Sequence, residues 1–366
     1  MNDELYMKRA LDLAARSRNQ TSPNPRVGAV MVKGGNIISE DFHRKPGTPH
    51  AEALVIAKAG EKSKGSLLYV NLEPCCHTEK RTPPCTRAII RAGIREVVIG
   101  MMDPNPKVSG KGMLELQKAG IAVRSGILEK EAKKLNETYT KYITTGQPFV
   151  ILKIAMTLDG KIATPEGQSK WITSDKARHM VHQLRRSVDA ILTAIGTVKA
   201  DNPELTARIR GGKSPQRIII DPDLEIPLDA KVLQLPPQTI IVTRKFHGLQ
   251  FNKEKGKILL DKGIEIIEYE GEKADLQWLM KKLGEREITS VLIEAGSSLN
   301  AYALEEGIVD KVMFFIAPKI MGGSKSFPAV GGKTFRRLEE AHLLKDVRVK
   351  RVGEDILIEG YIRKNK

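Results

Sequence analysis

Cysteine is scarce. Three in 366 residues are too few for a disulfide framework, and their sparing use points to a reducing compartment. Aromatic residues make up 5%, which leaves few platforms on which single-stranded bases could stack. No apolar run approaches the roughly 18 residues of a membrane-spanning helix. The opening Met1-Asn2-Asp3-Glu4 has none of the features of a secretory signal. The expectation is a cytoplasmic protein that does not enter a membrane. The glycine fingerprint GxGxxG is also missing after every strand-like segment, so an ordinary dinucleotide-binding Rossmann unit is not supported.

What the chain has in quantity is length and positive charge. At 366 residues it is long for one core and comfortable for two, each able to bury its own apolar surface. The net charge of +16 invites a nucleic-acid partner, because basic surfaces gather phosphates by counterion release. The basic residues are interleaved with acids, however, as in Glu129-Lys130-Glu131-Ala132-Lys133-Lys134, which is the pattern of a solvated helix face. A phosphorylated small molecule is expected in preference to nucleic acid.

The chemistry is concentrated in His50-Ala51-Glu52, Pro74-Cys75 and, past the turn Thr82-Pro83-Pro84, Cys85. His50, Cys75 and Cys85 suit tetrahedral zinc with a fourth position left for water, whose pKa the metal lowers towards neutrality. Structural zinc sites usually take four protein ligands. Three ligands with a carboxylate two residues after the His favour hydrolytic deamination, in which Glu52 moves protons and is not itself a ligand. Cys76 is left over, and its expected place is beside the metal loop as a small packed residue.

Periodicity orders the rest. Residues 4–18 have helical spacing and end at Thr21-Ser22-Pro23-Asn24-Pro25; Val27–Val32 and Ile37–Ser39 flank Gly34-Gly35 as a hairpin. A helix is predicted over 50–58, a strand over 67–72, a helix over 85–92, a strand over 96–101 and a helix over 129–142. The turn Thr144-Thr145-Gly146-Gln147-Pro148 marks a boundary, giving domains 1–146 and 147–366. Beyond it strands and helices alternate, with strands at 149–156, 189–194, 217–221, 239–242, 290–294 and 309–317, helices at 174–187, 273–283 and 297–306, and closing strands at 347–351 and 355–362. That alternation predicts an α/β domain with a largely parallel sheet and an antiparallel edge. Glu294-Ala295-Gly296-Ser297-Ser298-Leu299 joins a strand to a helix and reads equally well as a phosphate cradle or a plain capping turn.

Two sets of motifs resemble one family. Pro23-Asn24-Pro25-Arg26-Val27-Gly28-Ala29-Val30, His43, His50-Ala51-Glu52, Leu72-Glu73-Pro74-Cys75 and Thr82-Pro83-Pro84-Cys85 look like the first domain of the bifunctional pyrimidine deaminase and reductase of riboflavin biosynthesis. Lys153 to Lys161, Trp171-Ile172-Thr173, Gly196 to Thr206, Glu294-Ala295-Gly296 and Gly307-Ile308-Val309-Asp310 look like its second. The resemblance implies a cytidine-deaminase-like three-layer α/β/α domain followed by an α/β domain similar to dihydrofolate reductase, which binds NADPH without the Rossmann fingerprint. It further implies that Asn24, His43, His77 and Arg81 meet the deaminase substrate, with Asp103 and Asn105 as further pocket candidates. One departure is visible: the loop from Cys76 to Thr82 is one residue longer than the commonest family version, so Lys80 competes with Arg81 for the substrate phosphate.

In the second domain the resemblance assigns Ala155, Trp171, Thr197, Asp201, Gly296, Ser297, Ser298 and Leu299 to NADPH. It assigns Lys153, Ser169, Arg185, Leu205, Arg208 and Glu294 to a phosphoribosyl pyrimidine. Arg185 and Arg208 are the expected 5′-phosphate ligands, since guanidinium binds phosphate in a bidentate fork. The implied reactions are zinc-dependent deamination of 2,5-diamino-6-(5-phosphoribosylamino)pyrimidin-4(3H)-one and NADPH-dependent reduction of the ribosyl group, giving 5-amino-6-(5-phosphoribitylamino)uracil. A homo-oligomer is expected. Two rivals share the zinc motif: a polynucleotide-editing deaminase, which would not bind NADPH, and a zinc-stabilised nucleotide-sensing regulator, which would keep its function without Glu52.

Overall fold

Helix α1 (Asp3–Ala15) begins at Asn2, whose side chain accepts the Leu5 amide, and buries Met7, Ala10, Leu11, Leu13 and Ala14, a spacing that places one apolar stripe on a helix face. In this structure, a computed structural model that describes residues 2–78, 82–245, 250–332 and 337–363, the stripe packs on strand β1 (Gly28–Lys33). The approach is so close that a Cβ on Gly28 would stand 2.1 Å from the Ala10 carbonyl oxygen. Strand β1 turns through Gly34 and Gly35, at φ 58° and 80°, into antiparallel β2 (Asn36–Phe42), as the sequence predicts.

The chain continues through α2 (Ala51–Ala59), β3 (Leu67–Leu72), α3 (Cys85–Arg91), β4 (Glu96–Met101), α4 (Lys111–Lys118), β5 (Ala122–Ser125), α5 (Glu129–Leu135) and α6 (Glu137–Thr145). The sheet order is β2-β1-β3-β4-β5, with β3, β4 and β5 mutually parallel. Helix α1 touches α5, while α2 touches α3 and α3 touches α4, so the sheet lies between two helical layers. The apolar strands between those layers form the core, with Tyr69, Met31, Leu68 and Ile99 fully buried.

The single helix predicted over 129–142 is two helices. Asn136 breaks it at φ −105°, ψ 20°, because its buried side chain accepts from the Arg26 amide at 2.8 Å and donates to the Arg26 carbonyl at 3.1 Å. Pairing that backbone with a side chain 110 residues away outweighs one continuous helix. Helix α4 and strand β5 escape the sequence pattern; β5 is a mostly exposed edge strand, where burial imposes little alternation.

The chain divides into two compact units, Met1–Gln147 and Pro148–Lys366. The second contains β6 (Phe149–Thr157), β7 (Lys161–Ala163), α7 (Asp175–Arg186), β8 (Ala190–Ala194), α8 (Ile195–Asp201), β9 (Gln216–Ile220), β10 (Thr239–Arg244), α9 (Gln250–Asp261), β11 (Glu265–Tyr269), α10 (Leu276–Gly284), β12 (Ser290–Ile293), α11 (Ser297–Glu305), β13 (Lys311–Ala317), β14 (Phe327–Pro328), β15 (Leu344–Val352) and β16 (Asp355–Ile362). Its main sheet runs β11-β10-β9-β8-β12-β6-β13-β16-β15. All pairs from β11 to β13 are parallel, and β16 and β15 close it as an antiparallel edge. Central strands such as Ser290–Ile293 are buried on both faces, hence their continuous apolar runs. Among the described residues no helix is long and apolar enough to cross a membrane.

This topology places the chemistry. In an open parallel sheet, ligands bind beyond the carboxyl ends of the strands. Cys75 follows the end of β3, while Glu294 and Ile195 follow the ends of β12 and β8.

Candidate active sites

In the first unit, His50 occupies the N-cap of α2 and Cys85 opens α3. Their helix termini converge on the loop after β3. His50 Nδ1 lies 3.5 Å from Cys75 Sγ and 3.3 Å from Cys85 Sγ, and the three ligand atoms fall within 4.8 Å of one another. Tetrahedral zinc with its usual bond lengths separates nitrogen from sulfur by about 3.5 Å, so the donor set and its spacing fit that ion. Cys76 lies outside this cluster, its sulfur 4.0 Å from the Lys107 carbonyl.

Glu52 lies in the first turn of α2, buried, with Cys75 and Cys85 beside it. Burial pushes its carboxyl above the ordinary carboxylate range, and Oε2 is enclosed without a hydrogen-bond partner. A buried, unsatisfied carboxylate oxygen costs stability unless a ligand or water meets it, which suits a proton carrier better than a structural acid. His43 is also buried. Its ring meets the His50 ring edge-on at 5.1 Å, with Nε2 3.0 Å from Asn24 Nδ2 and Nδ1 3.3 Å from the Pro49 carbonyl. Asn24, His43 and His50 therefore form one continuous wall. His77 is half-buried two residues beyond Cys75; Lys80 and Arg81 lie outside the described residues.

Sequence inspection missed two side chains here. Thr82 Oγ1 lies 3.2 Å from His50 Nε2, the nitrogen turned away from the sulfurs, and so orients the ring that carries the ligand atom. The turn residue before Pro83-Pro84 was the only visible signal. Glu73, buried at the end of β3, accepts backbone N–H groups from Asp103 at 3.1 Å, Gly110 at 3.0 Å and Met113 at 3.0 Å, tying the metal-ligand loop to the loop after β4. Asp103 accepts from Asn105 N at 2.9 Å and from the Tyr139 hydroxyl at 3.0 Å, and burial raises its pKa to about 6. Asn105 accepts the Lys107 amide, so this pair also serves as turn chemistry.

In the second unit, a cavity of about 760 Å³ opens over the ends of β6, β8 and β12. Every residue that the sequence assigns to NADPH or to the phosphoribosyl substrate lines it. Ala155 and Lys153 come from β6, Thr197 and Asp201 from α8, and Gly296, Ser297, Ser298 and Leu299 from the start of α11; Ser169, Trp171, Arg185, Leu205, Arg208 and Glu294 complete the set. The buried Ser297 hydroxyl has no hydrogen-bond partner, and a Cβ on Gly296 would meet nothing closer than 4.0 Å. A helix start with an unpaired hydroxyl and open backbone fits the phosphates of a dinucleotide. Trp171 is 63% exposed, which excludes a core role, and the Arg178 guanidinium rests 4.4 Å from its ring centroid.

At the base of the cavity Glu294 receives Arg185 Nε at 2.6 Å and Nη2 at 3.0 Å, with Lys153 Nζ at 2.8 Å. The two cations overcome burial and hold the Glu294 carboxyl far below the usual range. Arg185 Nη1 also donates to the Thr206 carbonyl at 3.2 Å, so this guanidinium is largely committed within the protein. Arg208 is half exposed and pairs with Glu204 at 3.0 Å. Ser169 donates to Asp201 at 2.9 Å. Sequence inspection did not single out Arg178 or His182, whose Nδ1 lies 3.3 Å from the same Thr206 carbonyl.

Residues 1–101 match the cytidine and deoxycytidylate deaminase zinc-binding region, and residues 148–358 match the RibD C-terminal domain. The chain is 46% identical to the riboflavin biosynthesis protein RibD of Aquifex aeolicus, over 97% of each chain. Among solved structures it is similar to Acinetobacter baumannii RibD, with 36% identity, a TM-score of 0.89 and 99% of each chain covered. It is also similar to a diaminohydroxyphosphoribosylaminopyrimidine deaminase/5-amino-6-(5-phosphoribosylamino)uracil reductase from Thermotoga maritima, with 38% identity, a TM-score of 0.87 and the same coverage.

Proposed function

The chain belongs to the RibD family of riboflavin biosynthesis, a zinc-dependent deaminase joined to an NADPH-dependent reductase, and from that premise we propose which residues carry each reaction. The N-terminal unit deaminates 2,5-diamino-6-(5-phosphoribosylamino)pyrimidin-4(3H)-one, and the C-terminal unit reduces the ribosyl group of the product to give 5-amino-6-(5-phosphoribitylamino)uracil. The observation that carries this assignment is the meeting of His50, Cys75 and Cys85 beside the buried Glu52 carboxylate, whose Oε2 has no partner.

When bound, zinc makes water acidic enough to attack at neutral pH, and NADPH supplies a hydride. Glu52 takes one proton of the attacking water and delivers it to the pyrimidine ring nitrogen, then takes the remaining proton of that oxygen as the new carbonyl forms and delivers it to the departing amino group, which leaves as ammonia. Thr82 holds the His50 ring in register, while Asn24, His43, His77 and Arg81 position the substrate. In the second unit Glu294, kept ionised by Arg185 and Lys153, accepts the ribosyl hydroxyls. Lys153 supplies the proton that accompanies reduction at C1. Ser169, Leu205 and Arg208 hold the rest of the phosphoribosyl group. Ala155, Trp171, Thr197, Asp201 and the segment from Gly296 to Leu299 hold the cofactor.

The test is incubation with the diaminopyrimidine phosphate, with and without NADPH, following ammonia release and NADPH oxidation separately. A zinc chelator is expected to abolish ammonia release yet leave NADPH oxidation intact when the deaminated compound is supplied directly. Loss of both activities together would contradict the division of labour.

A homo-oligomer and a cytoplasmic location belong to the same reading. The second is supported by the three cysteines, which form no disulfide and two of which the zinc site needs as thiolates. The first is supported by an apolar sheet face on the outer strands. There Phe314 pairs with Ile358, Ile316 with Ile356 and Val349 with Ile358, and Val349 and Ile356 are 65% and 42% exposed. Light scattering is expected to give a multiple of the 40.5 kDa chain mass, and Val349→Lys to shift it towards the single chain.

A further inference from the structure

His182 stands on α7 one turn before Arg185 and lines the reductase cavity. Its Nδ1 meets the Thr206 carbonyl at 3.3 Å. A carbonyl only accepts, so Nδ1 carries a hydrogen in that contact, and Nε2 is the nitrogen left to change protonation and to serve a ligand. Neutral, Nε2 can only accept; charged, it donates. The neighbouring guanidiniums are already engaged, Arg185 with Glu294 and the Thr206 carbonyl and Arg208 with Glu204. A phosphate entering this end of the cavity meets the half-exposed Arg208 and the His182 ring together.

We infer that His182 is a ligand for the substrate's 5′-phosphate and becomes an imidazolium as that phosphate binds, so that binding takes up a proton. The inference rests on the reading that Leu205 and Arg208 hold the phosphoribosyl group. The charged groups that act on the ring are Arg185 on its own helix, Arg208 on the loop before β9 and Glu294 beyond β12. Burial comes first, and with the two guanidiniums it holds the ring's pKa below the ordinary histidine value against the Thr206 carbonyl and Glu294. A phosphate monoester carries a charge of about −1.5 to −2 near neutral pH and reverses that balance.

The loop facing His182 is built to keep this geometry. Asn202, Leu205 and Arg208 have φ of 40°, 52° and 48°, left-handed values that non-glycine residues adopt only when their surroundings impose them. Arg185 and His182 grip the Thr206 carbonyl from one side, and the fully buried Arg217 reaches the Glu204 carbonyl at 3.5 Å.

The test is the pH dependence of the reductase KM for the deaminated substrate. Wild type is expected to show KM rising about five- to tenfold between pH 6 and 8, one pKa unit being a factor of ten. His182→Gln keeps an amide donor but cannot titrate, and its rise should stay below about twofold by the same relation. Unchanged quenching of NADPH fluorescence confirms that the variant's cavity is intact. Parallel pH profiles in the two proteins overturn the inference. Should the variant fail to fold, calorimetry of wild type with ribose 5-phosphate in two buffers of different ionisation enthalpy decides, and absence of proton uptake near pH 7 overturns it. Arg208→Ala separates the two failures. An unchanged KM there means the underlying phosphate assignment is wrong, whereas a raised KM alongside parallel His182→Gln and wild-type profiles sinks the His182 role alone.

Discussion

Glu52→Gln is expected to slow ammonia release by about 10²- to 10⁴-fold, the range for removing a positioned acid–base group, without loss of zinc. The side chain keeps its shape and one oxygen, so His50, Cys75 and Cys85 retain their spacing. What disappears is a group that can accept the water's proton and return it to the leaving amine. The amide also removes the burial cost of a carboxylate whose Oε2 has no partner, so thermal stability is expected to stay level or rise. NADPH oxidation with pre-deaminated substrate should be unchanged, because that reaction is carried by the other unit. Retained zinc with wild-type ammonia release would remove Glu52 from the chemistry. Lost zinc would make it a structural support of the metal site.

The second large effect is expected at Glu294. Glu294→Gln leaves Arg185 and Lys153, whose side chains are only 14% and 13% exposed, without their shared anion. Breaking a buried ion network from one side costs about 3–5 kcal/mol, which denaturant unfolding of the second unit would register. Reduction should fall by about 10²-fold or more, the cost of misplacing groups around a reacting carbon, while ammonia release continues. The pH dependence has a definite sign. The Glu294 carboxyl is depressed in the folded state, so its contribution is fully present above the unfolded carboxyl pKa of about 4.3 and fades as pH falls towards the lower folded value. The stability gap between wild type and variant is therefore expected to be constant from pH 8 to about pH 5 and to narrow below about pH 4. A gap that widened on acidification would show that Glu294 is not held as a carboxylate.

Much of this was legible in the sequence because it is locally encoded. The zinc ligands sit in short motifs whose residue types leave little choice of metal. The buried strands of the second sheet, such as Ser290–Ile293 and Ala190–Ala194, announce themselves as apolar runs, and the Gly34-Gly35 hairpin by its turn residues. Edge and polar elements were less legible. Helix α8 begins with Ile195-Gly196-Thr197, a weak helix signal, and is not among the predicted helices. Strand β11 is a half-buried edge with little alternation to show.

By itself, then, the sequence determined which chemistry each half performs: donor types and their short-range spacing point to the metal and the proton carrier, and the resemblance of the second half's motifs points to the cofactor. Only the tertiary structure decided how those groups are held. Glu294 and its partner Arg185 are 109 residues apart, Asn136 and Arg26 are 110 apart, and Thr82 finds His50 across 32. Each pairing arises because the packing of strands, helices and loops brings together groups far apart along the chain, and no local pattern records which of them become neighbours. The structure also pairs Arg185 with Glu294 across two elements and sets His182 3.3 Å from the Thr206 carbonyl.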